Sequence, residues 1–149
     1  MTALTSKRAS RTKSFTTIEL AHAAEQVYQG GIACFDTSTG KVTKAKASTT
    51  LHPIGLYVED QLAADGDLVL VRLFEEVHAI WRANDGTDTV VAGDVGGLCY
   101  LVDDQTVANA DATNTRSVAG RVWAIDSAKG VLVEFRDTGA ARAETGLDV

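Results

Sequence analysis

The sequence predicts a mainly all-β fold: a small β-barrel or sandwich built from two similar β units, with a flexible N-terminal arm and little or no helix. Three observations point there. Apolar residues fall in short alternating or continuous runs, such as IACF, IGLYV, LVLV, GLCYLV and VLVEF, which suit strands rather than amphipathic helices. Asp, Asn and Gly clusters punctuate these runs at DTSTG, ADGD, NDGT and DSAKG, where tight turns need them. The two halves of the chain also repeat one order of runs and glycines.

At 149 residues the chain is one domain, or two very small ones tightly fused, and its 45% hydrophobic content is enough for a core. No apolar run approaches the roughly 18 residues of a membrane helix. The opening MTALTSKRASRTKSF is polar and basic, without the apolar core of a signal peptide. The expectation is a soluble chain made in the cytoplasm, with no membrane partner.

Taken in order, residues 1–14 are rich in Ser, Thr and basic groups and read as a mobile arm, because they bury too little to offset their ordering entropy. Residues 15–136 form the β domain. FTTIEL at 15–20 alternates like a short strand. HAAEQVY at 22–28 has helix-favouring alanines, but Gly30-Gly31 stops it, so a turn and a short strand fit better. Strands follow at Ile32–Asp36 and at KVTKAK, 41–46, whose lysines suit an exposed edge. IGLYVE after Pro53, the single proline, is the next strand. Leu68–Val77 is the most apolar run and reads as a central strand, although its second half with residues 78–82 also fits a helix. Ala83–Asp88 is a polar loop and Thr89–Ala92 a short strand. LCYLV, QTVA, SVAGRVWAI and Val131–Phe135 complete the strands, with a polar loop at 109–115. Gly120 inside its strand marks a bulge or a close backbone approach. Residues 137–149 read as a polar tail.

The repeat aligns GGIACFD at Gly30 with GGLCYLV at Gly96, which matches Cys34 to Cys99 and then Gly55 to Gly120, 21 positions on in each half. Gly66 and Gly130 each precede a closing apolar strand. The pseudo-repeats span about 27–73 and 91–135. Two such units would bury each other's apolar faces, since a lone hairpin is marginal in water.

The net charge of −6 is uneven. Lys7, Arg8, Arg11 and Lys13 give the first 15 residues four positive charges and no acid, leaving 10 basic against 20 acidic residues elsewhere, a net of −10. An acidic body argues against a nucleic-acid partner, because phosphate contacts dominate that binding. The arm has two readings, a solvated terminus or a segment that binds an anionic partner, and these four residues are the candidate partner-binding set.

No catalytic or metal motif is present. His22, His52 and His78 are far apart, and Cys34 and Cys99 lie in apolar runs without zinc or redox spacing, as buried free thiols do. GDVGG at Gly93 precedes a strand, so it lacks the helix N-terminus of a phosphate loop. Asp103-Asp104 reads as a turn, Glu75-Glu76 with His78 as a solvated face, and Asp85, Asp88 and Asp94 lack the calcium-loop pattern. Trp81, Trp123 and Tyr100 read as core, with an interface anchor as the second reading for Trp81. No catalytic residue, cofactor or metal site is expected, and the chain does not read as an enzyme.

The stretch GGLCYLVDDQTVANADATNTRSVAGRVWAIDSAKGVLVEF resembles the closing segment of the head decoration, or structural cement, proteins of tailed bacteriophages, including those of Mu-like prophages. The shared features are a strand into VDDQTVA, a variable polar loop, TRSVAGRV, ID, a short turn and a final VLVEF-like strand. VYQGGIACFDTSTGKVTKA followed by IGLYVED is similar to the family's first half. The resemblance covers about residues 15–135. It implies a β protein without enzymatic activity on the outer surface of the virion head, bound to the major capsid protein as a homo-oligomer, a trimer ahead of a dimer. Other readings are a head-completion or tail-tube protein and, further off, a ligand-binding barrel or enzyme.

Overall fold

The computed structural model describes residues 17–74 and 78–135. The arm with Lys7, Arg8, Arg11 and Lys13, the tail at 137–149 and Glu75-Glu76 lie outside them. The strands are β1 (Thr17–Ala21), β2 (Glu25–Val27), β3 (Ile32–Asp36), β4 (Lys41–Lys44), β5 (Leu51–Tyr57) and β6 (Gln61–Ala63). They continue with β7 (Leu68–Leu73), β8 (His78–Asn84), β9 (Leu98–Leu101), β10 (Thr106–Ala108), β11 (Val118–Asp126) and β12 (Gly130–Phe135). One short 3-10 helix, Ala92–Asp94, precedes β9.

The chain is mainly β, and its second half is a closed barrel in the order β10-β8-β12-β11-β9. The first half is a five-stranded sheet in the order β1-β7-β5-β3-β4. These orders are the same if β1, β3, β4, β5 and β7 are matched to β8, β9, β10, β11 and β12. The closing step is shared too. In the second half β10 runs parallel to β8, with Thr106 opposite Ala83 and Val107 opposite Asn84. In the first half a parallel bridge joins His22, just past β1, to Val42 on β4. The pair β2-β6 forms its own two-stranded sheet and delivers Val27 and Ala63 to the core of the first half.

The glycines in β5 and β11 occupy equivalent places. A Cβ on Gly55 would lie 2.2 Å from the Arg72 carbonyl oxygen, and one on Gly120 would lie 2.2 Å from that of Glu134. The next residue along pairs with the crowding one in both cases, Leu56 with Arg72 and Arg121 with Glu134. The cysteine match is displaced by one position. Ala33, not Cys34, stands opposite Gly55, whereas Cys99 stands opposite Gly120. Both halves carry the same irregularity beside that glycine: Ile54 before Gly55 and Ala119 before Gly120 are each skipped in the pairing, so a bulge is part of the repeat.

One buried cluster spans both halves. Ile32, Cys34, Ala45 and Leu51 join Cys99, Leu101, Val107, Val122, Val131, Val133 and Phe135. Phe74 stacks on Phe135 with centroids 4.7 Å apart and planes 13° from parallel. A second cluster, with Val42, Tyr57, Val69 and Val71, belongs to the first half alone. Polar links reinforce the junction. The Ile32 N–H donates to the Asp104 carbonyl at 2.8 Å. The Ser117 hydroxyl donates to the Ser48 carbonyl and accepts from the Leu51 N–H at 3.2 Å. Both cysteines are buried free thiols.

Three sequence expectations need correction. Residues 78–84 form strand, not helix, because β8 pairs with β12 from His78 to Arg82 and then with β10. Thr89–Ala92 is not a strand, because its backbone groups turn to side chains. The Asn84 amide takes both the N–H and the carbonyl of Val90, and Asp94 accepts from the Val91 N–H at 2.8 Å. Trp123 is not core: it sits at a register shift between Val122 and Ala124 and is 48% exposed. Trp81 and Tyr100 are each only partly buried.

Candidate partner-docking surface

The acidic residues considered for chemistry are occupied separately. Asp103 accepts from the Gln105 N–H at 2.9 Å, a local turn bond. Asp85 accepts from the N–H groups of Thr87 and Asp88. Asp88 pairs with Arg116 at 2.8 Å. Among the described residues no group of three His, Cys, Asp or Glu side chains is placed to hold a metal ion. No described helix is long and apolar enough to cross a membrane. Burial pushes the Cys99 thiol up to about 12, and it raises Cys34 further still, so neither is a thiolate nucleophile at neutral pH.

A buried polar network fills the seam between β1 and β4. His22 is fully buried. Its Nδ1 lies 2.8 Å from the Ala23 carbonyl and so carries the proton, and its Nε2 accepts from the Tyr57 hydroxyl at 2.6 Å. Burial raises the Tyr57 phenol far above its ordinary value, which keeps it a neutral donor. The Glu25 carboxylate accepts from the Thr43 hydroxyl and the Lys44 N–H, with Lys46 at 3.4 Å. Through Glu25 the chain satisfies backbone at β4 where no described strand continues the sheet.

Burial alone would raise the Glu25 carboxyl, but the Thr43 and Lys44 hydrogen bonds and the Lys46 charge together hold it below its ordinary value. A lowered folded-state value stabilises the fold above the unfolded value of about 4.3, and that contribution fades as pH falls through the folded value. Thermal melts of the wild type and Glu25→Gln between pH 7 and 3 test this. The variant melts lower at pH 7, and the two curves converge as the solution is acidified below pH 4. A gap that stays constant with pH would remove Glu25 as the titrating group.

A concavity lies between the two halves. It has a volume of about 640 Å³ and is lined by Tyr28, Gly31, Lys44, Trp81, Arg82 and Asp104 among others. Arg82 is held by two carbonyls: Nε donates to Trp81 at 2.7 Å and Nη1 to Gly30 at 2.8 Å. Burial lowers the guanidinium below its ordinary value while Asp104 opposes that, and an arginine in such a range stays charged. A second hollow of about 400 Å³ shares Trp81, Arg82 and Ala83 with the first and runs on to Lys129. The Lys129 ammonium sits 5.4 Å from the centre of the Trp81 ring, a cation–π contact.

Outside this groove, large apolar side chains stand in solvent. Leu62 is 76% exposed and Leu68 58%. Val91, Val95 and Trp123 are half-exposed on the second half. There, Gly96 and Gly97 exchange backbone hydrogen bonds with Val122, which brings the Val95 and Trp123 backbones together. The sequence reading missed the groove because its residues come from five separated segments and form no linear motif. It singles out the members Trp81, Asp104 and Gly30-Gly31, but as a core or interface residue, a turn and a strand stop, and not together.

The chain matches no protein-family model, no curated protein and no solved structure. What the geometry defines is a class: a doubled β-strand unit with one shared core and an outward-facing set of apolar and charged side chains.

Proposed function

We propose that this chain is a decoration, or cement, protein of a tailed-bacteriophage head. It binds the outside of the assembled shell and ties neighbouring major capsid protein subunits together as a homo-oligomer, with the trimer favoured. The observation that carries the reading is the stretch whose residues resemble that family. It supplies β9 to β12, four of the five strands of the closed barrel, and it carries the half-exposed Trp123 on β11. Tryptophan on a fixed strand is the residue type that anchors protein interfaces. The acidic body fits a protein that faces away from packaged DNA. Many copies of one modest contact add up to a strong clamp.

The basic arm at residues 1–14 extends this reading, as a segment that orders on an acidic capsid surface. Deleting residues 1–14 is expected to leave the circular dichroism spectrum unchanged and to weaken binding to undecorated heads by about tenfold or more, with the loss shrinking as salt is raised. Heads saturated with the full chain should also resist heat release of DNA better than bare heads. Equal binding by the truncated chain would take the arm out of the account, and unchanged heat release would take away the cement role.

A further inference from the structure

We propose that the groove between the two halves is a docking site for an extended, acidic segment of a partner protein. The described residues hold 15 acidic and eight basic side chains, yet three of those eight, Lys44, Arg82 and Lys129, line these two adjoining hollows. Two acids share them, Asp104 and Asp126. Asp126 spends one carboxylate oxygen on the N–H groups of Ala128 and Lys129, and Asp104 lies against the loop at Gly31. Neither the Lys44 nor the Lys129 ammonium has a carboxylate within ion-pair distance among the described residues. The groove is therefore a positive strip on a negative body, and it selects against the chain's own basic arm.

The backbone selects an extended occupant. Ala79, Ile80 and Trp81 of β8 have β12 on one side, while on the other side β10 begins pairing only at Ala83. Among the described residues no strand pairs with that edge of β8. An edge of this kind accepts an added strand, whose main chain supplies affinity while alternate side chains enter flanking pockets. Trp81 lines both hollows, and Tyr28 lines the first. A strand laid past Trp81 would present one acidic side chain toward Lys44 and another toward Lys129, with Arg82 fixed between them.

The inference stands apart from the capsid reading, because its test needs no capsid. A fluorescein-labelled octapeptide of alternating Glu and Thr is titrated with the full chain at low salt, against its Lys/Thr counterpart. Saturable binding of the Glu/Thr peptide alone is expected, with at least a tenfold loss in Lys44→Glu/Lys129→Glu and a smaller loss in the Lys→Gln pair. In a Trp123→Phe background, Trp81 emission should change on titration and stay unchanged with the double charge reversal. Circular dichroism melts confirm that each variant is folded, and both lysines are solvent-accessible. Equal binding of both peptides, no binding, or binding that survives the double reversal in the folded protein would overturn the proposal.

Discussion

Gly120→Ala is expected to lose about 3 kcal/mol or more of stability, and Gly55→Ala to lose a similar amount. The cause is backbone against backbone. An added Cβ would sit 2.2 Å from the Glu134 carbonyl oxygen in one case and 2.2 Å from that of Arg72 in the other, with valine methyl groups of Val133 and Val71 closing the same space. No rotamer change relieves a carbonyl in a ladder, so β12 or β7 must move away from its partner. For a chain of this length that corresponds to a melting point roughly 10 °C lower. Gly93→Ala is the control: nothing lies within 4 Å of its Cβ position. It should stay within about 0.5 kcal/mol of the wild type. Urea or thermal unfolding of the three variants decides this. Mild effects at 55 and 120, comparable with that at 93, would show that neither site is a close approach.

Phe135→Ala carries the second large effect, a loss of about 3–5 kcal/mol from the cavity it leaves. Phe135 is fully buried at the end of β12 and stacks on Phe74, which follows β7. The ring therefore joins the last strand of one half to the last strand of the other. Because one buried cluster includes Ile32 and Leu51 as well as Val122 and Val133, both halves should unfold together in the variant and in the wild type. Methyl NMR signals of Val71 in the first half and Val133 in the second report this separately. Coincident, shifted transitions are the expected result. Loss of the Val133 signal well before that of Val71 would mean that the halves are independent.

Much of the fold is legible in the residues. Continuous or alternating runs at 32–36, 68–73, 98–101 and 131–135 are strands because their β-branched and apolar side chains find buried places. Gly120 announces a close approach, since only a missing side chain explains a glycine within SVAGRVWAI. Other features depend on partners that local pattern does not name. The three-residue strands β2 and β6 are too short to show a period, and they exist because each supplies the other's hydrogen bonds. Val90 looks like strand but gives its backbone to Asn84, six positions away. Trp123 looks like core, but it follows the buried Val122 and so faces the other side of β11. The Cys34–Cys99 match fails by one residue because the segment from β3 to Gly55 is one residue longer than that from β9 to Gly120, and composition does not show it. The groove was hidden for a related reason: Lys44, Trp81 and Asp104 meet only after the two halves have packed.

The most direct test of the proposed role is sedimentation of purified full-length chain with undecorated tailed-phage heads, and separately with tails and connectors. The chain is expected to pellet with heads, to saturate at a fixed number of copies per major capsid subunit, and to stay in the supernatant with tails and connectors. Binding to tails or connectors alone, or no saturable binding to heads, would contradict the proposed role.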